Sequence, residues 1–91
     1  MLVVVCYDIS EDATRTRMAN CLLNFGVRIQ ESVFEAVLEK GHFERLIGAV
    51  ERITLGESDR VRVYRVCARC VNEITIIGFG EVTRDPDFYL V

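Results

Sequence analysis

Leu2 to Tyr7 is an unbroken apolar run, Leu-Val-Val-Val-Cys-Tyr, largely β-branched. Such a run predicts a strand covered on both faces. Asp8, Ile9 and Ser10 form its exit. Polar residues follow, with apolar positions at Met18, Cys21, Leu22 and Phe25. That i, i+3, i+4, i+7 spacing predicts an amphipathic helix. Asp12 or Ser10 is the expected N-cap, and Gly26 stands where a left-handed C-terminal cap is wanted. From Val27 to Glu39 the chain is extended in character but has no Gly, Asn or Pro turn signal. It reads either as one long bent strand or as two short ones broken near Ser32.

Lys40-Gly41 closes that stretch, and a second helix is predicted from about His42 to Thr54. Phe43, Leu46, Ile47, Val50 and Ile53 make its apolar face. Leu55-Gly56 stops it. Asp59 to Val66 alternates, with Val61 and Val63 on one side and Arg60, Arg62 and Tyr64 on the other. Alternation of this kind predicts a half-exposed strand. Ile74 to Phe79 reads as one further strand before a tail containing Asp85-Pro86-Asp87.

The order β-α-β(β)-α-β-β is that of a split β-α-β unit, a four-stranded antiparallel sheet with two helices on one face. The expected class is therefore α+β, a ferredoxin-like βαββαβ sandwich with an additional C-terminal strand. That strand, 74–79, exceeds what the fold needs and is a candidate for exchange between subunits of a homodimer. The length of 91 residues fits one domain over 1–91. So short a chain buries only about 60% of its unfolded surface, and a second subunit is one way to bury more.

Hydrophobic residues at 51% and charged residues at 27% are globular proportions. No apolar run reaches the roughly 18–20 residues of a membrane span, and the first residues lack a basic leader. A soluble protein of the cytoplasm, without a membrane partner, is expected. Reduced thiols are then the default for its four Cys. Cys6 and Cys21 read as small core residues. Cys67 and Cys70 form a lone CxxC, whereas a structural zinc site needs four ligands and His42 is far along the chain. A thioredoxin-type dithiol needs its CxxC at a helix start after a strand. The pair reads as two thiols in a surface loop.

A formal charge of −3 argues against a protein that coats nucleic acid by bulk electrostatics. All its basic residues but Lys40 are Arg, the side chain whose planar fork suits phosphate oxygens. GC-rich coding is the plain alternative. The single His, His42, stands in no Ser-His-Asp motif, and neither a Gly-rich phosphate loop nor an H-E-x-x-H motif is present.

Asp8 is the most informative position. A carboxylate at the carboxyl end of a buried strand is held where α/β sheets place ligands and metals; a turn-forming Asp is the structural alternative. Arg15 and Arg17 lie in the first turns of the next helix. One acid with two Arg near a helix start can hold Mg²⁺ and a phosphodiester, or the two Arg simply solvate the helix. Mg²⁺ tolerates one or two protein carboxylates because it keeps its waters, and a symmetric dimer supplies two copies of Asp8.

The segments Val4-Val5-Cys6-Tyr7-Asp8-Ile9-Ser10, Arg15-Thr16-Arg17, Gly26-Val27-Arg28-Ile29-Gln30-Glu31-Ser32-Val33-Phe34-Glu35 and Ser58-Asp59-Arg60-Val61 resemble the small CRISPR-associated endoribonuclease of the spacer-acquisition machinery. The resemblance implies a ferredoxin-like homodimer whose two Asp8 carboxylates approach across the interface and bind one Mg²⁺. It implies cleavage of phosphodiester bonds in single-stranded RNA or double-stranded DNA, and an integrase partner beside which the small protein acts as a scaffold. By motif position Tyr7, Arg15, Arg17, Arg28 and Phe34 become supporting site residues. The Arg residues neutralise phosphate, and Phe34 either stacks on a base or packs the core. The CxxC and the Asp85-Pro86-Asp87 tail match no motif of that family.

Overall fold

The computed structural model describes residues 1–84. Strand β1 spans Leu2–Asp8, helix α1 Asp12–Leu23, strands β2 and β3 Val27–Gln30 and Val33–Val37, helix α2 Lys40–Glu51, strand β4 Arg60–Val66, and a single helical turn, α3, Ala68–Val71. The four strands form one sheet in the order β2-β3-β1-β4, and every pairing is antiparallel. The stretch 27–39 is thus two strands, parted at Glu31-Ser32, with a register irregularity between Arg28 and Gln30 in the β2–β3 pairing.

Side chains alternate across β1 as pleating demands. Val3, Val5 and Tyr7 join one hydrophobic core with Met18, Ala19 and Leu22 of α1, Phe34 and Ala36 of β3, and Leu46 of α2. Both helices therefore cover the same face. Val61 and Val63 pack against this core, while Arg60, Arg62 and Tyr64 are exposed on the other side of β4. The opposite face of β1 is not sealed: Val4 and Cys6 are half-buried and Asp8 is exposed. The apolar run had predicted cover on both faces.

Helix α2 starts at Lys40 and ends at Glu51, against an expected His42 to Thr54, so Lys40-Gly41 opens the helix and does not close the strand before it. Three further expectations are corrected. Glu11, not Ser10 or Asp12, occupies the N-cap of α1, and its side chain makes no capping bond there. Gly26 is not a left-handed cap, because the positive-φ residues among those described are Gly78 and Gly80. It is small for another reason: a Cβ at Gly26 would lie 2.1 Å from the Glu35 carbonyl oxygen and 2.7 Å from the Ala36 Cβ. The chain passes so close to β3 that no larger residue fits.

The third correction concerns the extra strand. Residues 74–79 form no strand, and Ile77 and Phe79 stand 95% and 106% exposed. In a single chain both neighbours of β1 are already in place, and this segment has no edge paired to it. Further on, Thr83 donates through its hydroxyl to the Glu35 carboxylate at 2.6 Å. The expected Asp85-Pro86-Asp87 tail lies outside the described residues. Among those residues no helix is long and apolar enough to cross a membrane.

Candidate functional site

Asp8 ends β1 and Tyr7 precedes it, so the two side chains leave opposite faces of the sheet. Tyr7 turns toward the helices and is buried; Asp8 is exposed on the open face. The residues expected to act together are divided by the sheet itself.

On the helix side, Tyr7 and Phe34 stack with ring centroids 6.3 Å apart. Phe34 is 2% exposed and belongs to the core, so of its two readings the packing role is the one its position permits. The Arg28 guanidinium lies 5.5 Å from the Phe34 ring centroid. It also donates to the Glu31 carbonyl through Nε at 3.0 Å and Nη2 at 2.7 Å. The Tyr7 hydroxyl donates to that same carbonyl at 3.2 Å. Three donors thus meet on one backbone oxygen at the β2–β3 turn, which holds that turn onto the core.

Arg15 does similar work at the β1–α1 loop. Its Nη1 donates to the carbonyls of Ile9 at 2.9 Å and Ser10 at 2.8 Å, and its Nη2 pairs with Asp12. Arg15 and Arg28 line one shallow groove with Tyr7 and Glu31. Arg17 lies elsewhere, in a depression formed with Ser10, Thr14 and the 54–59 loop. Residues two apart on a helix do not share a face, and Arg15 and Arg17 accordingly line separate depressions.

The open face holds a different set. In the β1–β4 ladder Asp8 is paired with Arg60, Cys6 with Arg62, and Val4 with Tyr64. Arg62 Nη1 donates to the Tyr64 hydroxyl at 3.3 Å. Cys6, Tyr7, Asp8, Arg60 and Arg62 line a small recess of about 140 Å³. Among the described residues the one ion pair is Arg15 with Asp12, which leaves the Asp8 carboxylate free for a ligand. By sequence, Arg60 and Arg62 lie on the outer side of a half-exposed strand, away from the residues expected to surround Asp8. Alternation showed which face of β4 they occupy, but the pairing that sets them opposite Asp8 and Cys6 is a long-range register that no local pattern carries.

Asp59, just before β4, ties this end together. Its carboxylate accepts from the Ser10 N–H at 3.0 Å and the Gly56 N–H at 2.7 Å. These backbone bonds stabilise the charged form and hold its pKa below the ordinary aspartate value. The loop that follows Asp8 is thereby fastened to the loop that precedes Arg60.

Among the described residues no three His, Cys, Asp or Glu side chains group as a metal site. Among the described residues, this recess offers a divalent cation the Asp8 carboxylate alone, opposite the guanidinium groups of Arg60 and Arg62. That is a poor fit singly. Two copies of Asp8 brought together give the carboxylate pair that Mg²⁺ accepts while keeping its waters.

A family profile described as "CRISPR associated protein Cas2" matches residues 1–74. The "CRISPR-associated endoribonuclease Cas2 3" of Chloroflexus aurantiacus is 37% identical over 91 residues, covering 100% of this chain and 98% of the relative. A solved Thermus thermophilus protein, described as hypothetical, superposes with a TM-score of 0.74 at 34% identity, covering 89% of this chain and 94% of its own. A chain of a structure described as "Partial Cas6-RT-Cas1--Cas2 complex" has the same fold, with a TM-score of 0.65 at 22% identity, over 84% of this chain and 89% of its own. With the family profile matched over residues 1–74 and a relative 37% identical along the whole chain, this chain belongs to the Cas2 family.

Proposed function

We propose that the protein is a metal-dependent endoribonuclease or endonuclease of CRISPR defence that works as a homodimer of ferredoxin-like protomers. It hydrolyses phosphodiester bonds in single-stranded RNA or double-stranded DNA and takes part in spacer acquisition with an integrase partner. The strand order, with both helices on one face, supports the protomer topology. The relative named as an endoribonuclease, alike over its full length, supports the activity. The observation that carries the reading is Asp8, an exposed carboxylate at the end of a rigid central strand, faced by Arg60 and Arg62 on an open sheet.

The half-buried Val4, Cys6 and Val33 on that face support a second copy as its cover. Two copies of Asp8 would hold Mg²⁺, which when bound polarises a phosphoryl oxygen and lowers the pKa of a bound water. Arg60 and Arg62 neutralise the phosphates of the strand being cut. Asp59 keeps the Asp8 loop in position. Labelled RNA and duplex DNA, incubated with the protein with and without Mg²⁺, test the reading beside Asp8→Asn. The variant keeps the shape and removes the charge a hard cation requires, so loss of cleavage with fold and dimer intact is expected. Undiminished cutting by Asp8→Asn makes Asp8 a turn residue and ends the assignment.

One second reading has an observation of its own. A protein of charge −3 with a local Arg face suits a dimeric scaffold that grips DNA backbone and bridges integrase subunits, and a chain of this fold stands in a complex described with Cas1. Binding of duplex DNA without cleavage in either metal condition favours it.

A further inference from the structure

The CxxC pair is not in a loop. Cys67 directly follows β4 and occupies the N-cap position of the α3 turn, and Cys70 lies within that turn. The Cys70 N–H donates to Cys67 Sγ at 3.3 Å. That bond sets the Cys70 backbone against the Cys67 sulfur across the single turn that joins the two residues. Both are exposed, whereas Cys6 and Cys21 are half-buried. This is the placement, strand then CxxC then helical turn, whose absence had argued against a redox dithiol.

We infer that Cys67 and Cys70 form a reversible dithiol–disulfide site whose co-reactant is an oxidised low-molecular-weight thiol, a small disulfide RS–SR. The Cys67 thiolate attacks one sulfur of RS–SR, giving a mixed disulfide on Cys67 and releasing RS⁻. The Cys70 thiolate then attacks Cys67 Sγ, closing the Cys67–Cys70 bond and expelling the second RS⁻. The two thiol protons go to the two RS⁻ leaving groups, so the protein loses two electrons and two protons, and the small disulfide gains them. The order of attack follows from the bonding. The backbone N–H of Cys70, and then its thiol, lower the pKa of Cys67, while the neighbouring Cys67 sulfur raises that of Cys70. A thiol with a larger thiolate fraction attacks first, and the second resolves the mixed disulfide. Closure staples the connector between β4 and the exposed apolar segment 74–79. The site is independent of Asp8 and needs no metal.

The test uses the full chain and oxidised glutathione at pH 7, with acid quenching, alkylation and peptide mass analysis. The expected product has lost two hydrogens within the 67–70 peptide, while Cys6 and Cys21 remain alkylatable. Cys70→Ser is expected to stop at a glutathione adduct on Cys67, and Cys67→Ser to react several-fold more slowly at Cys70. Asp8→Asn oxidises like the wild type, which separates this site from the nuclease reading. Four alkylatable thiols after excess oxidised glutathione overturn the inference. So do first modification at Cys6 or Cys21, disulfide-linked dimers, or a zinc ion retained by the pair through dialysis.

Discussion

Asp8 and Arg60 are partners across the β1–β4 ladder, and the next pair on the same face is Cys6 with Arg62. Directly opposed residues of an antiparallel pair have Cα atoms about 4.5–5.5 Å apart. Acid and base stand side by side at one sheet end without an ion pair between them among the described residues. On the proposed function, this face sets both guanidinium groups beside the carboxylate as contacts for a phosphodiester.

Arg60→Ala and Arg62→Ala are therefore expected to weaken RNA and duplex DNA binding alike. Each lost phosphate contact lowers the salt slope by about one unit, read from binding isotherms over a range of salt. Arg15→Ala and Arg28→Ala act differently, since their guanidinium groups already serve backbone carbonyls. They should cost about 1–2 kcal/mol in denaturant unfolding, with the salt slope little changed, after discounting charged hydrogen bonds for their exposure. A salt slope governed by Arg15 and Arg28 places the nucleic acid on the helix-side groove instead.

Gly26→Ala should destabilise by about 1–3 kcal/mol or more, because the added methyl falls inside the β3 backbone and something must shift. Gly48→Ala is the control. It lies within α2 with nothing within 4 Å of the new Cβ, and a helix interior gains about 0.5–1 kcal/mol from that change. Thermal or urea unfolding of the two variants should move in opposite directions.

Asp59 predicts a pH dependence. Its folded pKa lies below its unfolded one, so the stability it adds is present above the ordinary aspartate range near 3.9. It is lost as pH falls from there through the lower folded value. Asp59→Asn should remove that part of the acid dependence in unfolding curves. It should also lower cleavage at neutral pH with substrate affinity less affected, because the Ser10 tether acts on the Asp8 loop and not on phosphate. An unchanged acid limb shows that the Ser10 and Gly56 bonds carry no net stability.

Ile77→Asp and Phe79→Asp test the proposed dimer. Both side chains stand in solvent in the single chain, so neither substitution removes a contact within it. Exposed replacements of this kind stay within about 0.5 kcal/mol of wild-type stability. Light scattering across a dilution series should nonetheless show dissociation at higher concentration than wild type. Equal dissociation of variant and wild type excludes segment 74–79 from the interface.

Hydrophobic periodicity by itself determined β1, both long helices, the two-sided character of β4, and most of the core, including Met18, Leu22 and Leu46. These follow from contacts within a few residues, where a period of 2 or 3.6 decides which side chains share a face. The same rule, applied to Tyr7 and Asp8, already divides them between the faces of one strand, and to Arg15 and Arg17 divides them around one helix. Other features are tertiary. The break at Glu31-Ser32 is held by Tyr7 and Arg28 converging on one carbonyl, and Gly26 is small because β3 passes beside it. Arg60 faces Asp8 only through a register joining residues 52 positions apart in the chain. The segment 74–79 has strand-like residues but no edge paired to it. Strand pairing is a long-range hydrogen-bonded choice, and a sequence states which residues can extend far more plainly than which neighbour they will meet.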